Sequence, residues 1–175
     1  MLIEGADNGK KANVTDENEL VVRAVEEPRI VTASREERSF SWDSTEQDID
    51  ATDTMLFVRN DDDAALILDR AVINGSDVIC EWTIHRGNAI TTPTGTAIAG
   101  VSMIGNTGLS DRATASYDEE AVADGDVVGR AKTPVDNSIP YNLAGMILKK
   151  GQYIQFNQET ESDSGSVILY GHFDK

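Results

Sequence analysis

The sequence predicts an all-β protein: a jelly-roll-like β-sandwich preceded by an extended N-terminal arm. Three observations carry this. Short β-branched runs recur along the chain, separated by Gly, Asn and Asp. No amphipathic helical period holds for more than about ten residues. At 175 residues the chain is long enough to bury one core without disulfide staples.

The elements follow in order. Residues 1–19 are polar and rich in Asn, Asp, Gly and Lys, with no sustained period, and read as an arm. Leu20–Val25 and Arg29–Ala33 are short lead-in strands around Pro28. Residues 1–34 are therefore assigned to the arm and lead-in strands, and residues 35–175 to the sandwich. Phe40 and Trp42 alternate with Ser39, Ser41 and Asp43, as in a half-exposed strand. Met55–Val58 is continuously apolar, as in a strand buried on both faces. Asn60–Asp63 reads as a turn. Asn74-Gly75 lies between the runs Ala65–Ile73 and Val78–Arg86, a strong local signal for a hairpin, because both residues tolerate positive φ.

In the second of these runs Val78, Cys80, Trp82 and Ile84 share one face, and Glu81, Thr83 and His85 the other. Residues 87–108 are loop-like around a short run at Ala97–Met103. In the last third, Gly151 marks a turn before Gln152–Asn157, with Ile154 and Phe156 facing in. Val167, Leu169 and Phe173 share a face of the final run.

Composition narrows the function. Thirty-one acidic residues against 15 basic ones give a formal charge of −16. Such a surface repels phosphate backbones, and Lys10-Lys11 and Lys149-Lys150 are pairs rather than a basic patch, so nucleic acid is not an expected partner. No run of about 18 apolar residues marks a membrane span. The start Met1–Asp7 lacks a basic n-region and a long apolar core, so neither a secretory leader nor a membrane partner is expected.

Catalytic chemistry is scarce. The lone Cys80 sits in an apolar run and reads as a small core hydrophobe. His85 and His172 are strand-end histidines, too few for a three-histidine metal site, and no Gly-x-Ser-x-Gly elbow marks a nucleophile. Gly5–Lys11 falls one residue short of a phosphate loop and lacks the hydroxyl residue after Lys. Asp61-Asp62-Asp63 and Asp124-Gly125-Asp126 are oxygen-rich turns without EF-hand spacing, and acidic turns are ordinarily solvated. No catalytic residue, cofactor or metal is expected. Asn13-Val14-Thr15 and Asn74-Gly75-Ser76 match the glycosylation sequon by chance.

The aromatic residues Trp42, Trp82, Tyr117, Tyr141, Tyr153 and Tyr170 raise the question of a sugar-binding face. Trp82 has the inward phase. Tyr153 has the outward phase with Gln155 and Asn157, so these three are expected to form an exposed binding or subunit-contact face.

Several stretches resemble small structural proteins of tailed bacteriophage virions, of the capsid-decoration or head-fibre type. These are Ala12–Val25, with its polar lead-in before a Leu-Val-Val-Arg-Ala-Val run, then Met55–Asn60, Leu66–Ile73, Gly95-Thr96 and Asn106–Ser110. The close, Leu148–Ile154 followed by Val167–Phe173, is similar to the last hairpin of virion jelly rolls.

The resemblance implies a non-enzymatic decoration (cement) protein on the capsid exterior, made in the host cytoplasm. It would bind the major capsid protein or other virion proteins, often as a homotrimer, and stabilise the lattice. On this reading Leu2, Ile3, Val14, Leu20 and Val22 contribute to docking, by adding a strand to a partner's sheet edge. The alternatives are a tail, baseplate or fibre component, or a carbohydrate-binding β-sandwich module.

Overall fold

The computed structural model describes residues 2–4, 11–14, 20–23, 38–49, 54–75, 78–88, 95–103, 112–117, 125–160 and 162–174. The strands are β1 (Leu2–Glu4), β2 (Lys11–Val14), β3 (Leu20–Arg23), β4 (Ser39–Asp43), β5 (Gln47–Ile49), β6 (Thr54–Asn60), β7 (Leu66–Gly75), β8 (Cys80–Asn88), β9 (Thr96–Ile98), β10 (Val101–Ser102), β11 (Ala113–Tyr117), β12 (Asp126–Thr133), β13 (Ser138–Leu148), β14 (Gln152–Gln158) and β15 (Ser162–Phe173). There is no helix among the described residues.

Two antiparallel sheets pack as a sandwich. One has the order β10-β4-β15-β7-β13, with β5 also paired to β15. The other has the order β12-β8-β14-β6-β11-β9. β1, β2 and β3 form a separate antiparallel meander, with Leu2 opposite Asn13 and Val14 opposite Leu20. The lead-in thus has strand pairing of its own. The side chains of this region and the run at 29–33 lie outside the described residues.

The core is built by alternation. Trp42, Leu169, Val167 and Phe173 point inward from the β15 sheet; Trp82, Ile84, Ile154 and Phe156 point inward from the β14 sheet. Both tryptophans are buried, and Trp82 donates its indole N–H to Thr133 Oγ1 at 3.1 Å, satisfying the one polar atom of its ring. Phe40 meets Phe173 edge-on, with centroids 5.9 Å apart. Met55–Val58 is buried on both faces, as its unbroken apolar run predicts, because β6 sits between β14 and β11.

Asn74-Gly75 is not the turn of a hairpin: both residues close β7, where Asn74 pairs with Ser138 and Ser166 and Gly75 with Gly165. β7 belongs to the β15 sheet and β8 to the β14 sheet, so the chain crosses the sandwich between them. A side chain at Gly75 would collide with Thr133, which explains the glycine by close packing. Gly151, at φ +79°, marks a second such crossing, from β13 to β14. The final stretch also departs from the hairpin expected of it: β14 and β15 lie in different sheets.

β7 carries an irregularity that matters below. Leu66 and Leu68 face the core, and so do Ala71 and Ile73, although an odd spacing separates the pairs. The register with β15 slips between Tyr170 and Gly171, making Asp69 an extra residue on β7. At the same level β13 bows out between Asn142 and Met146, around Gly145 at φ +95°.

Replacing Leu169 by Ala should cost about 2–5 kcal/mol in urea unfolding, since it empties the centre of the core. The same truncation at the exposed Ile147 should change stability by no more than about 0.5 kcal/mol.

Candidate functional site

The outward phase of β14 proves to be buried. Tyr153, Gln155 and Asn157 are only 3%, 1% and 4% exposed, so the expected contact face is corrected. β14 is a central strand, hydrogen-bonded to β8 on one side and β6 on the other, and it is covered on both faces. Period-two alternation separates the faces of a strand; it does not say which faces meet water.

The polar groups there are bonded to one another. Gln155 Nε2 donates to Thr54 Oγ1 at 2.9 Å and to Asn157 Oδ1 at 2.8 Å, and Thr54 donates to Asn157 Oδ1 at 3.1 Å. The Tyr153 ring packs on Phe57 at 5.1 Å, and its hydroxyl lies over Gly87, where a side chain would collide with it. His85 continues the same face: Nδ1 reaches the Gly125 carbonyl at 3.2 Å and Nε2 reaches Thr83 Oγ1 at 2.9 Å, while Thr83 donates to Glu159. This is a buried polar layer, and such layers stabilise when their groups are paired.

The Asp61–Asp63 turn holds the chain's own cations. Arg59 Nε meets Asp61 Oδ1 at 2.6 Å, Arg112 meets Asp62 at 3.5 Å, and Lys150 meets Asp63 at 2.9 Å. The carboxylates that would suit a hard cation are thereby committed to ion pairs drawn from separate parts of the chain. Partial burial alone would raise the pKa of Asp61. Hydrogen bonds from Arg59 and Thr114, with the Arg59 charge, outweigh it and hold the carboxyl below its ordinary value. Asp124 lies outside the described residues. Among the described residues, no group of three or more His, Cys, Asp or Glu side chains is placed to hold a metal ion.

The remaining feature is a groove of about 530 Å³ over the β7 bulge, on the outer face of the β15 sheet, bordered by Asp69, Arg70, Met103, Pro140, Asn142 and Tyr170. The bulge places two consecutive polar residues, Asp69 and Arg70, between inward-facing Leu68 and Ala71. Asp69 Oδ2 faces Nδ1 of the buried His172 at 3.1 Å. The Arg70 guanidinium lies 4.8 Å from the centre of the Tyr170 ring. Arg70 stands directly across from Tyr170 on β15 and from Asn142 on β13, so the three form one row across the sheet.

Of the aromatic set, then, Trp42 and Trp82 are core, Tyr141 reaches inward beside Gly129, and Tyr170 lines a surface groove. The sequence reading missed Arg70 and Asn142. The signal for Arg70 was the broken alternation in Leu66–Ile73. Cys80 is buried, as its apolar run predicts. Leu2, Ile3, Val14, Leu20 and Val22 all fall on the β1–β3 meander. Compared with known protein families, curated proteins and solved structures, the chain finds no match.

Because folding lowers the Asp61 pKa, its stabilisation is present above the unfolded value near 3.8 and fades as pH falls through the lower folded value. Asp61→Asn should therefore destabilise at neutral pH by no more than about 1 kcal/mol, given its solvent-screened position. The gap from wild type should shrink when urea melts are repeated in acid. Asn157→Ala, which strips Thr54 and Gln155 of a buried partner, should cost about 1–3 kcal/mol at neutral pH.

Proposed function

We propose that the chain is a non-enzymatic structural protein of a tailed-bacteriophage virion: an outer-capsid decoration protein that binds the major capsid protein lattice and stabilises it. It would assemble as a homotrimer on the capsid exterior after synthesis in the host cytoplasm.

The observation that carries the reading is strand order. Taking only the eight strands β4, β6, β7, β8, β12, β13, β14 and β15, the first, eighth, third and sixth form one sheet, and the fifth, fourth, seventh and second form the other. Reading this as a double Greek key supports a jelly roll, an architecture used by viral capsid proteins and by lectins.

The edges of the sandwich add support. β9 and β10 are very short, β12 carries a bulge at Val127/Gly129 with exposed Arg130 and Lys132, and β13 carries Pro140. Each device discourages strand addition by another copy. A protein displayed densely on a shell needs that restraint. Docking is assigned to the lead-in, with Leu2, Ile3, Val14, Leu20 and Val22 as the contact residues, where a strand can be offered to a partner's edge.

Immunogold electron microscopy of particles from the source culture, using an antibody to this chain, is expected to label capsid faces. Labelling of tails would overturn decoration in favour of a tail or fibre role, and an absence of particle labelling would overturn the virion reading. Light scattering of the purified protein should give three times the 19.0 kDa chain mass; a monomer would overturn the trimer.

A further inference from the structure

We infer that the groove over the β7 bulge is a binding site for an acidic saccharide, a sugar ring that carries a carboxylate. This goes beyond the capsid reading and does not depend on it.

The first argument is electrostatic. In a chain of charge −16, an arginine has carboxylates in abundance to pair with, and Arg59 and Arg112 do so. Arg70 does not: among the described residues its guanidinium makes no hydrogen bond or ion pair, and it is held only against the Tyr170 ring. Its nearest acidic neighbour in sequence, Asp69, faces His172 instead. The result is an exposed, planar, positively charged fork held in place over a groove. That fork fits a carboxylate through two parallel N–H···O bonds.

The second argument is the mixture of groups around it. A sugar hydroxyl both donates and accepts, so a sugar site offers both kinds of partner beside an apolar surface. Asp69 Oδ1, which has no partner among the described residues, is an acceptor. Asn142, in the same row as Arg70, adds a polar amide to the rim of the groove. Pro140, Met103 and the Tyr170 ring supply apolar surface for the C–H face of a ring. The volume of about 530 Å³ suits one or two sugar units. A simple carboxylate would use Arg70 alone, and a neutral sugar would leave the fork unused.

The test is NMR titration of the full-length protein with glucuronate and galacturonate, set against glucose, galactose and acetate. Binding is expected near a Kd of about 1 mM for the acidic sugars, with shifts at the side chains of Arg70, Asn142 and Tyr170. Arg70→Ala should weaken binding at least about tenfold, and Arg70→Lys should recover little of it, because the charge returns without the fork. Tyr170→Leu should weaken binding to a lesser degree, by releasing the guanidinium. Thermal melts check that each variant is folded, and the wild-type shift map stands without them. The proposal is overturned if the acidic sugars cause no shifts, if the shifts map away from the groove, if the neutral sugars or acetate bind equally well, or if folded Arg70→Ala binds as wild type.

Discussion

The structure depends on Asn60. This buried residue closes the corner at which the chain passes from β6 to β7, and it also reaches the corner from β13 to β14. Its Nδ2 donates to the carbonyls of Ala64 at 2.8 Å and Leu148 at 2.9 Å, its Oδ1 accepts from Asp62 N at 2.9 Å, and its carbonyl accepts from Gly151 N at 2.7 Å. Both corners carry the chain from one sheet to the other, so one side chain sets the spacing of the sheets at that end. Asn60 itself is fully buried, and an unmade bond there is costly. The ion pairs of Asp61, Asp62 and Asp63 sit just outside this hub and clasp the same corner from the surface.

Much of the fold was legible in the sequence because strand alternation is a local property. The inward set Cys80, Trp82 and Ile84, the set Val167, Leu169 and Phe173, and the doubly buried Met55–Val58 all read directly from residue type. Sheet membership was not legible. Asn74-Gly75 announces a reversal, yet whether the next strand pairs with the last one or crosses the core is decided by distant partners, here β13 and β12. The polar face of β14 failed for a related reason. Gln155 and Asn157 suit water in isolation, but Thr54 on β6 hydrogen-bonds both in its place. The groove was half legible: the slipped phase around Asp69 marked a bulge, but only the folded sheet brings Tyr170 and Asn142 beside Arg70.

Charge is distributed with a purpose that the total of −16 conceals. Arg59, Arg112 and Lys150 secure the corner below Asn60, and Lys132 meets Glu81 at 2.6 Å across the β12–β8 pair. These cations serve the chain's own architecture. Among the described residues Glu46, Asp126, Asp136 and Asp174 are exposed, and such acidic charge keeps neighbouring molecules apart. Against that background a stacked arginine such as Arg70 is conspicuous, because its surroundings would readily supply a carboxylate.

The position of β15 has a consequence for how the protein folds. This strand lies in the middle of its sheet, between β4 and β7, and contributes Val167, Leu169 and Phe173 to the core. A chain lacking it would have a gap between β4 and β7, with Trp42 short of its neighbours. The sandwich can close only once β15 is in place, and pairing between sequence-distant strands makes that step slow. A chain cut before β15 would display this unfinished core to proteases, so intactness of that one strand guards the whole sandwich.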